Sequence, residues 1–121
     1  MKPHILLVDD EPLVLRTIAR LLEQAGYVVF PAGTPQEAMN FAESLNGQDC
    51  LLMTDVVMPE MNGRELAQKM LALYPHLQCL FTSGYTANVI AHHGVLDENV
   101  HFIQKPFSRK DLAIKVREAL E

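Results

Sequence analysis

Five short apolar runs punctuate the chain: His4-Ile5-Leu6-Leu7-Val8, Tyr27-Val28-Val29-Phe30, the stretch from Leu51 to Pro59, Gln78-Cys79-Leu80-Phe81-Thr82 and Val100-His101-Phe102-Ile103. Continuous rather than alternating apolar runs predict strands buried on both faces, as in a parallel sheet covered by helices. Between the runs, apolar residues recur at helical spacing. Leu13, Val14, Ile18, Leu21, Leu22 and Ala25 do so from Pro12 until Gly26, with proline where a first turn tolerates it and glycine where a helix stops. Thr34-Pro35-Gln36-Glu37 carries the Thr and Glu of a capping box, and opens a helix with Ala38, Phe41, Ala42 and Leu45 inward and Asn46-Gly47 at its end. After Asn62-Gly63 a third helix turns Leu66, Met70 and Leu73 inward and stops at Tyr74-Pro75. Ser108, with Asp111 at the third position, caps a last helix whose inner face is Leu112, Ala113, Val116, Ala119 and Leu120. Residues 86 to 99 have no clean pattern: a helical reading from Ala87 to Ala91 is interrupted by His92-His93-Gly94.

Strands alternating with helices predict an α/β fold, a doubly wound five-stranded parallel sheet with right-handed crossovers. The 121 residues make one domain, 1–121, with no repeat or linker. Apolar residues are 49% and charged residues 21% of the chain, ordinary for a globular protein. A formal charge of -5 with no basic run argues against direct nucleic-acid binding, which needs a basic footprint. The apolar runs fall short of the roughly 20 residues that cross a bilayer, and Met1-Lys2-Pro3 starts no signal peptide. A cytoplasmic protein with no membrane partner is expected. Cys50 and Cys79 then read as buried thiols rather than a disulfide. The five histidines lack metal-ligand spacing and read as surface residues.

The strand exits carry the chemistry. The third run delivers Asp55, and the first exits into Asp9-Asp10-Glu11-Pro12. Alone, such an aspartate reads as a cap for the next turn. In a sheet ordered 2-1-3-4-5, however, the first and third strands are neighbours and ligands bind at the crevice between their carboxyl ends. Three carboxylates about 4 Å apart would repel by roughly 4 kcal/mol per pair at an effective dielectric near 20, which together rivals the stability of a domain. Such a cluster must protonate, spread or take up a cation. A few hard oxygen ligands with room for water favour Mg2+. The fourth strand exits into Ser83-Gly84-Tyr85 and the fifth into Gln104-Lys105-Pro106. A carboxylate beside a divalent cation, a hydroxyl and an ammonium is what phosphoryl transfer to a carboxylate requires, with Asp55 the candidate nucleophile.

In combination these motifs resemble the response-regulator receiver domain of two-component signalling, from end to end. Asp9-Asp10 matches the family's acidic pair, Asp55 its phosphorylated aspartate, Ser83 its switch hydroxyl and Lys105-Pro106 its lysine and proline. Pro59 and Gly63 stand four and eight residues after Asp55, as in the family's loop. The resemblance implies a flavodoxin-like (βα)5 fold with strand order 2-1-3-4-5, and a phosphorylation-activated switch in which Asp55 accepts a phosphoryl group from a histidine kinase or histidine-phosphotransfer domain. It implies Mg2+ bound directly by Asp10 and Asp55, with the Val57 backbone carbonyl as a third ligand and Asp9 acting through water. Lys105 and Ser83 would serve the phosphoryl group, Gly84 would leave it room, and the Lys105-Pro106 bond would be cis. Val57 and Tyr85, two residues beyond Asp55 and Ser83, imply a long-lived phosphorylated state. Ser83 would relay the change to Phe102, which stands where the family often has tyrosine and so would signal by packing alone. The surface formed by the helix after the fourth strand, the fifth strand and the last helix would carry the output. Such a chain promotes its own phosphotransfer and dephosphorylation without turning over an external substrate. Ser83-Gly84-Tyr85 and His92-His93-Gly94 resemble receivers fused to hybrid sensor kinases, which adds a covalently linked kinase as a second implied partner.

Three rivals frame the reading. A receiver-like interaction module that works without phosphorylation would not need the intact site. A flavin binder needs a hydroxyl- and glycine-rich loop where this chain has acids. A phosphatase of the haloacid dehalogenase type wants Asp-x-Asp, and here the acids are adjacent.

Overall fold

The computed structural model describes residues 4–45, 50–58, 62–84 and 101–120. In chain order the elements are β1 His4–Val8, α1 Pro12–Gln24, β2 Val28–Ala32, α2 Pro35–Leu45, β3 Cys50–Asp55, α3 Gly63–Leu73, β4 Gln78–Ser83, β5 Phe102–Gln104 and α4 Arg109–Leu120. All neighbouring strands run parallel, in the order β2-β1-β3-β4-β5. This is the expected topology. Side chains alternate faces along each strand, which divides the core in two. Leu6, Val8, Leu52 and Phe81 pack with Ala38, Ala42, Leu66 and Met70 of α2 and α3. Ile5, Leu7, Leu51, Met53, Leu80 and Ile103 pack with Ile18, Leu22, Leu112 and Val116 of α1 and α4. Burying each large aliphatic side chain contributes roughly 1.5 to 3 kcal/mol; β1, β3 and β4 serve both layers, and β3 is buried at every residue.

Local signals set the helix ends. Thr34 Oγ1 accepts from the N–H of Glu37 at 3.1 Å, Asn62 Oδ1 from that of Glu65 at 2.8 Å and Ser108 Oγ from that of Asp111 at 3.0 Å. Each such cap stabilises by about 1 kcal/mol. Gly26 adopts a φ of 100°, the left-handed turn that lets its own N–H reach the Glu23 carbonyl and the N–H of Tyr27 reach that of Leu22.

Several boundaries and faces differ from expectation. β2 runs through Pro31 to Ala32 instead of stopping at Phe30. The Ala32 carbonyl accepts from the N–H of Asp9, the residue just past β1, so by alternation Pro31 faces the open edge, where its missing donor goes unneeded. β5 begins at Phe102 and includes polar Gln104, because the strand end meets water at the carboxyl edge; Val100 lies outside the described residues. Leu13, expected inward on α1, is 76% exposed. At about 100° per residue it stands roughly opposite Leu22 and far around from Ile18. Leu73, at the end of α3, is also exposed, and Tyr74 and Leu77 beyond it take its place against the core. His4 is half-buried and stacked on Phe30, unlike the exposed His76 and His101. Cys50 is buried and Cys79 half-buried, both thiols. Cys79 pairs in register with Leu52, two residues off Cys50, and burial together with Cys50 pushes its pKa up to about 11. Among the described residues no helix is long and apolar enough to cross a membrane.

Candidate functional site

Because every strand is parallel, every strand exit lies on one edge. The register Val8↔Thr54 sets Asp9 beside Asp55. Asp55↔Thr82 and Ser83↔Gln104 bring Ser83 and Lys105 to the same edge. The expected candidates Asp9, Asp10, Asp55, Ser83 and Lys105 thus meet in one crevice.

Asp9 is 1% exposed and has both oxygens engaged. Oδ1 accepts from the N–H of Glu11 at 3.0 Å, which orients the chain into α1, and Oδ2 accepts from Lys105 Nζ at 2.8 Å. Lys105 Nζ also stands 3.4 Å from Asp55 Oδ2. Asp10 is exposed, yet one of its carboxylate oxygens and one from each of Asp9 and Asp55 lie within 4.8 Å of one another. Asp55 is 7% exposed. Burial raises its pKa to about 6, the Lys105 charge opposes the rise, the Asp9 charge adds to it, and the Val57 N–H, a donor to the carboxylate, lowers it. Burial also works against the Lys105 ammonium, but its bond to Asp9 and the charges of Asp55 and Asp9 outweigh this and hold its pKa above the ordinary lysine value. Among the described residues, one ammonium balances three carboxylates. The donors are all oxygen, and the charge deficit suits a hard divalent cation. Asp10, Asp55, Val57, Ser83, Gly84 and Lys105 line an open cleft of about 630 Å3.

The other candidates fall around this centre. Val57 is half-exposed on the rim, and Ser83 is buried, with its carbonyl accepting from Lys105 N–H at 2.7 Å. Gly84 is exposed, and a Cβ there would meet nothing within 4 Å. The Lys105-Pro106 peptide is cis, as expected. Phe102 is half-buried and packs on the α2 and α3 side of the sheet, neither fully inward nor fully exposed. Pro59, Tyr85 and residues 86 to 99, with His92 and His93, lie outside the described residues.

Two residues escaped the sequence reading. Thr54 Oγ donates to the Asp55 backbone carbonyl at 3.0 Å. Gly63, noted only as part of a loop motif, donates its N–H to the Val56 carbonyl at 2.8 Å, and a Cβ on it would collide with the Asp55 carbonyl. The one available signal was a lone hydroxyl ahead of Asp55 in an apolar run.

The chain as a whole is similar to known proteins. A family model described as the response regulator receiver domain matches residues 5–117. Sensor kinase CckA of Brucella abortus is 38% identical over 97% of this chain, which spans 12% of that kinase. Response regulator receiver protein CpdR of the same organism is 32% identical over 97% of this chain and 96% of its own length. The crystal structure of the receiver domain from hybrid histidine kinase CckA superposes with a TM-score of 0.80 at 35% identity, covering 98% of this chain and 99% of that one.

Proposed function

Since the chain belongs to the response regulator receiver family of two-component signalling, we propose that Asp55 is its phosphoacceptor and that phosphorylation there, with Mg2+ bound, switches its surface. The observation that carries this reading is a buried carboxylate 3.4 Å from Lys105 at the floor of an open, acid-rimmed cleft.

A carboxylate oxygen of Asp55 attacks phosphorus in line. The new P–O bond forms as the P–N bond to a histidine of the donor breaks, and the imidazole leaves with that electron pair and takes a proton from water. Lys105 neutralises charge building on the equatorial oxygens, and Ser83 donates its hydroxyl to one of them. Mg2+, when bound, neutralises charge on the same oxygens. Asp10 and Asp55 would hold it directly, with the Val57 carbonyl as a third ligand. Asp9 acts through water, in keeping with the engagement of both its oxygens by Glu11 N–H and Lys105. Open space at Gly84 accommodates the phosphoryl group.

The donor is a histidine kinase or a histidine-phosphotransfer domain, and the similarity to the CckA receiver supports a sensor kinase, linked or separate. It acts in the cytoplasm, where thiols such as Cys50 and Cys79 stay reduced. The new phosphoryl charge draws Ser83 and Lys105 toward it, and Phe102 turns inward to follow. Incubation with acetyl phosphate tests the chemistry. Acid-labile phosphoryl uptake should require Mg2+ and stop with a chelator; uptake that ignores the metal would count against the site as assigned.

A further inference from the structure

We propose that Thr54 is a positioning residue for the phosphoacceptor, acting through the hydrogen bond that its hydroxyl donates to the Asp55 carbonyl; this rests on the reading of Asp55 given above. Thr54 is 0% exposed and follows Leu51, Leu52 and Met53. Its register neighbours are Val8 on β1 and Phe81 on β4. A hydroxyl in such surroundings costs free energy unless it is bonded, and the bond runs to Asp55 O at 3.0 Å.

The end of β1 explains why the bond is needed there. Val56 N–H donates to the Thr82 carbonyl on β4 at 2.9 Å. Backbone groups alternate sides along a strand, so the Asp55 carbonyl points the other way, toward β1. But β1 has ended at Val8. The sheet therefore runs out of partners at the residue that carries the chemistry, and the Thr54 hydroxyl takes the vacant position. Gly63 closes over the same carbonyl, with Thr54 Cγ2 just 3.1 Å from where a Cβ would stand. Together they fix the peptide plane between Asp55 and Val56. That plane sets the direction in which the Asp55 side chain leaves the backbone and the path toward Val57. Phosphoryl transfer to a carboxylate held in line is sensitive to small misplacement, and a shift of about 1 Å can cost on the order of a hundredfold in rate.

The test separates positioning from packing with two variants. Thr54→Val keeps the branched shape and removes the hydroxyl, whereas Thr54→Ser keeps the hydroxyl and removes the methyl. With acetyl phosphate and Mg2+, Thr54→Val should label about tenfold more slowly at saturating donor, with the half-saturating donor concentration unchanged. Thr54→Ser should melt below wild type yet label close to its rate. In metal-free protein, the amide resonances of Val56, Val57 and Gly63 should shift in Thr54→Val and return in Thr54→Ser, and Mg2+ titration of the same resonances should weaken only in Thr54→Val. A Thr54→Val protein that labels like labelled wild type overturns this inference alone, as does a Thr54→Ser protein as slow as Thr54→Val. A wild type that takes up no phosphoryl group overturns the functional reading and this inference with it.

Discussion

Asp55 binds its proton more tightly in the folded chain than in the unfolded one, since burial lifts its pKa from 3.8 to about 6. The sign follows by linkage. Below about pH 4 both states hold the proton and the stabilisation is fully present; as pH rises through 6 the folded state must ionise a buried group and stability is lost. The loss is at most about 3 kcal/mol at roughly 1.36 kcal/mol per pKa unit. Lys105, whose pKa is raised, contributes in the alkaline range and not in this window. Urea melts of metal-free protein should therefore show stability falling between about pH 4 and pH 6.5 on account of Asp55. Asp55→Asn should remove that component, and saturating Mg2+ should offset it. An Asp55→Asn protein with the same pH slope as wild type would contradict the assignment. Gly63→Ala should cost about 1 to 3 kcal/mol, because a methyl has no room against the Asp55 carbonyl, and it should slow phosphoryl uptake; a fully stable, fully active variant would contradict the close approach. At this scale the acids, Ser83 and Lys105 were legible because each is a polar residue interrupting an apolar run where a strand ends. Thr54 and Gly63 were not, because their roles depend on where β1 stops and on how closely α3 approaches β3.

Strands and helices were legible wherever burial and sequence period coincided. β3 reads as a strand because both faces are covered, and α2, α3 and α4 begin where their caps say. The reading slipped where the environment changes partway along an element. Pro31 belongs to β2 only because β2 is an edge strand, and Leu13 is outward although its neighbours in the apolar pattern are inward. β5 and α4 carry the proposed output. Phe102 is already half-covered, so turning it inward gains only part of the roughly 1.5 to 3 kcal/mol of a fully buried large apolar side chain. That is enough to bias a two-state equilibrium. With Mg2+ and beryllium fluoride as a phosphoryl mimic, NMR resonances of Phe102 and α4 should move together. Shifts confined to Asp9, Asp10, Asp55 and their immediate neighbours would contradict the relay.

For the whole molecule, the acidic cleft and an apolar groove form one surface. The groove, about 460 Å3, is lined by Leu13, Val14, Ile18, Leu21, Pro106 and Phe107 and shares Val14 and Lys105 with the cleft. We propose that a donor protein bringing a phosphohistidine to Asp55 also rests on this groove, whose apolar lining suits the apolar face of a helix. Leu13→Lys should then slow transfer from a phosphohistidine protein by on the order of tenfold, about 1.4 kcal/mol, and leave labelling by acetyl phosphate unchanged. Equal loss with both donors would place the defect in the site itself. The central claim is that Asp55 takes the phosphoryl group, and the most direct measurement is phosphoryl transfer from a radiolabelled phosphohistidine protein to wild type and to Asp55→Asn in the presence of Mg2+. The account predicts one acid-labile phosphoryl group per wild-type chain and none on Asp55→Asn; label retained by Asp55→Asn, or a wild type that stays unlabelled, would contradict it.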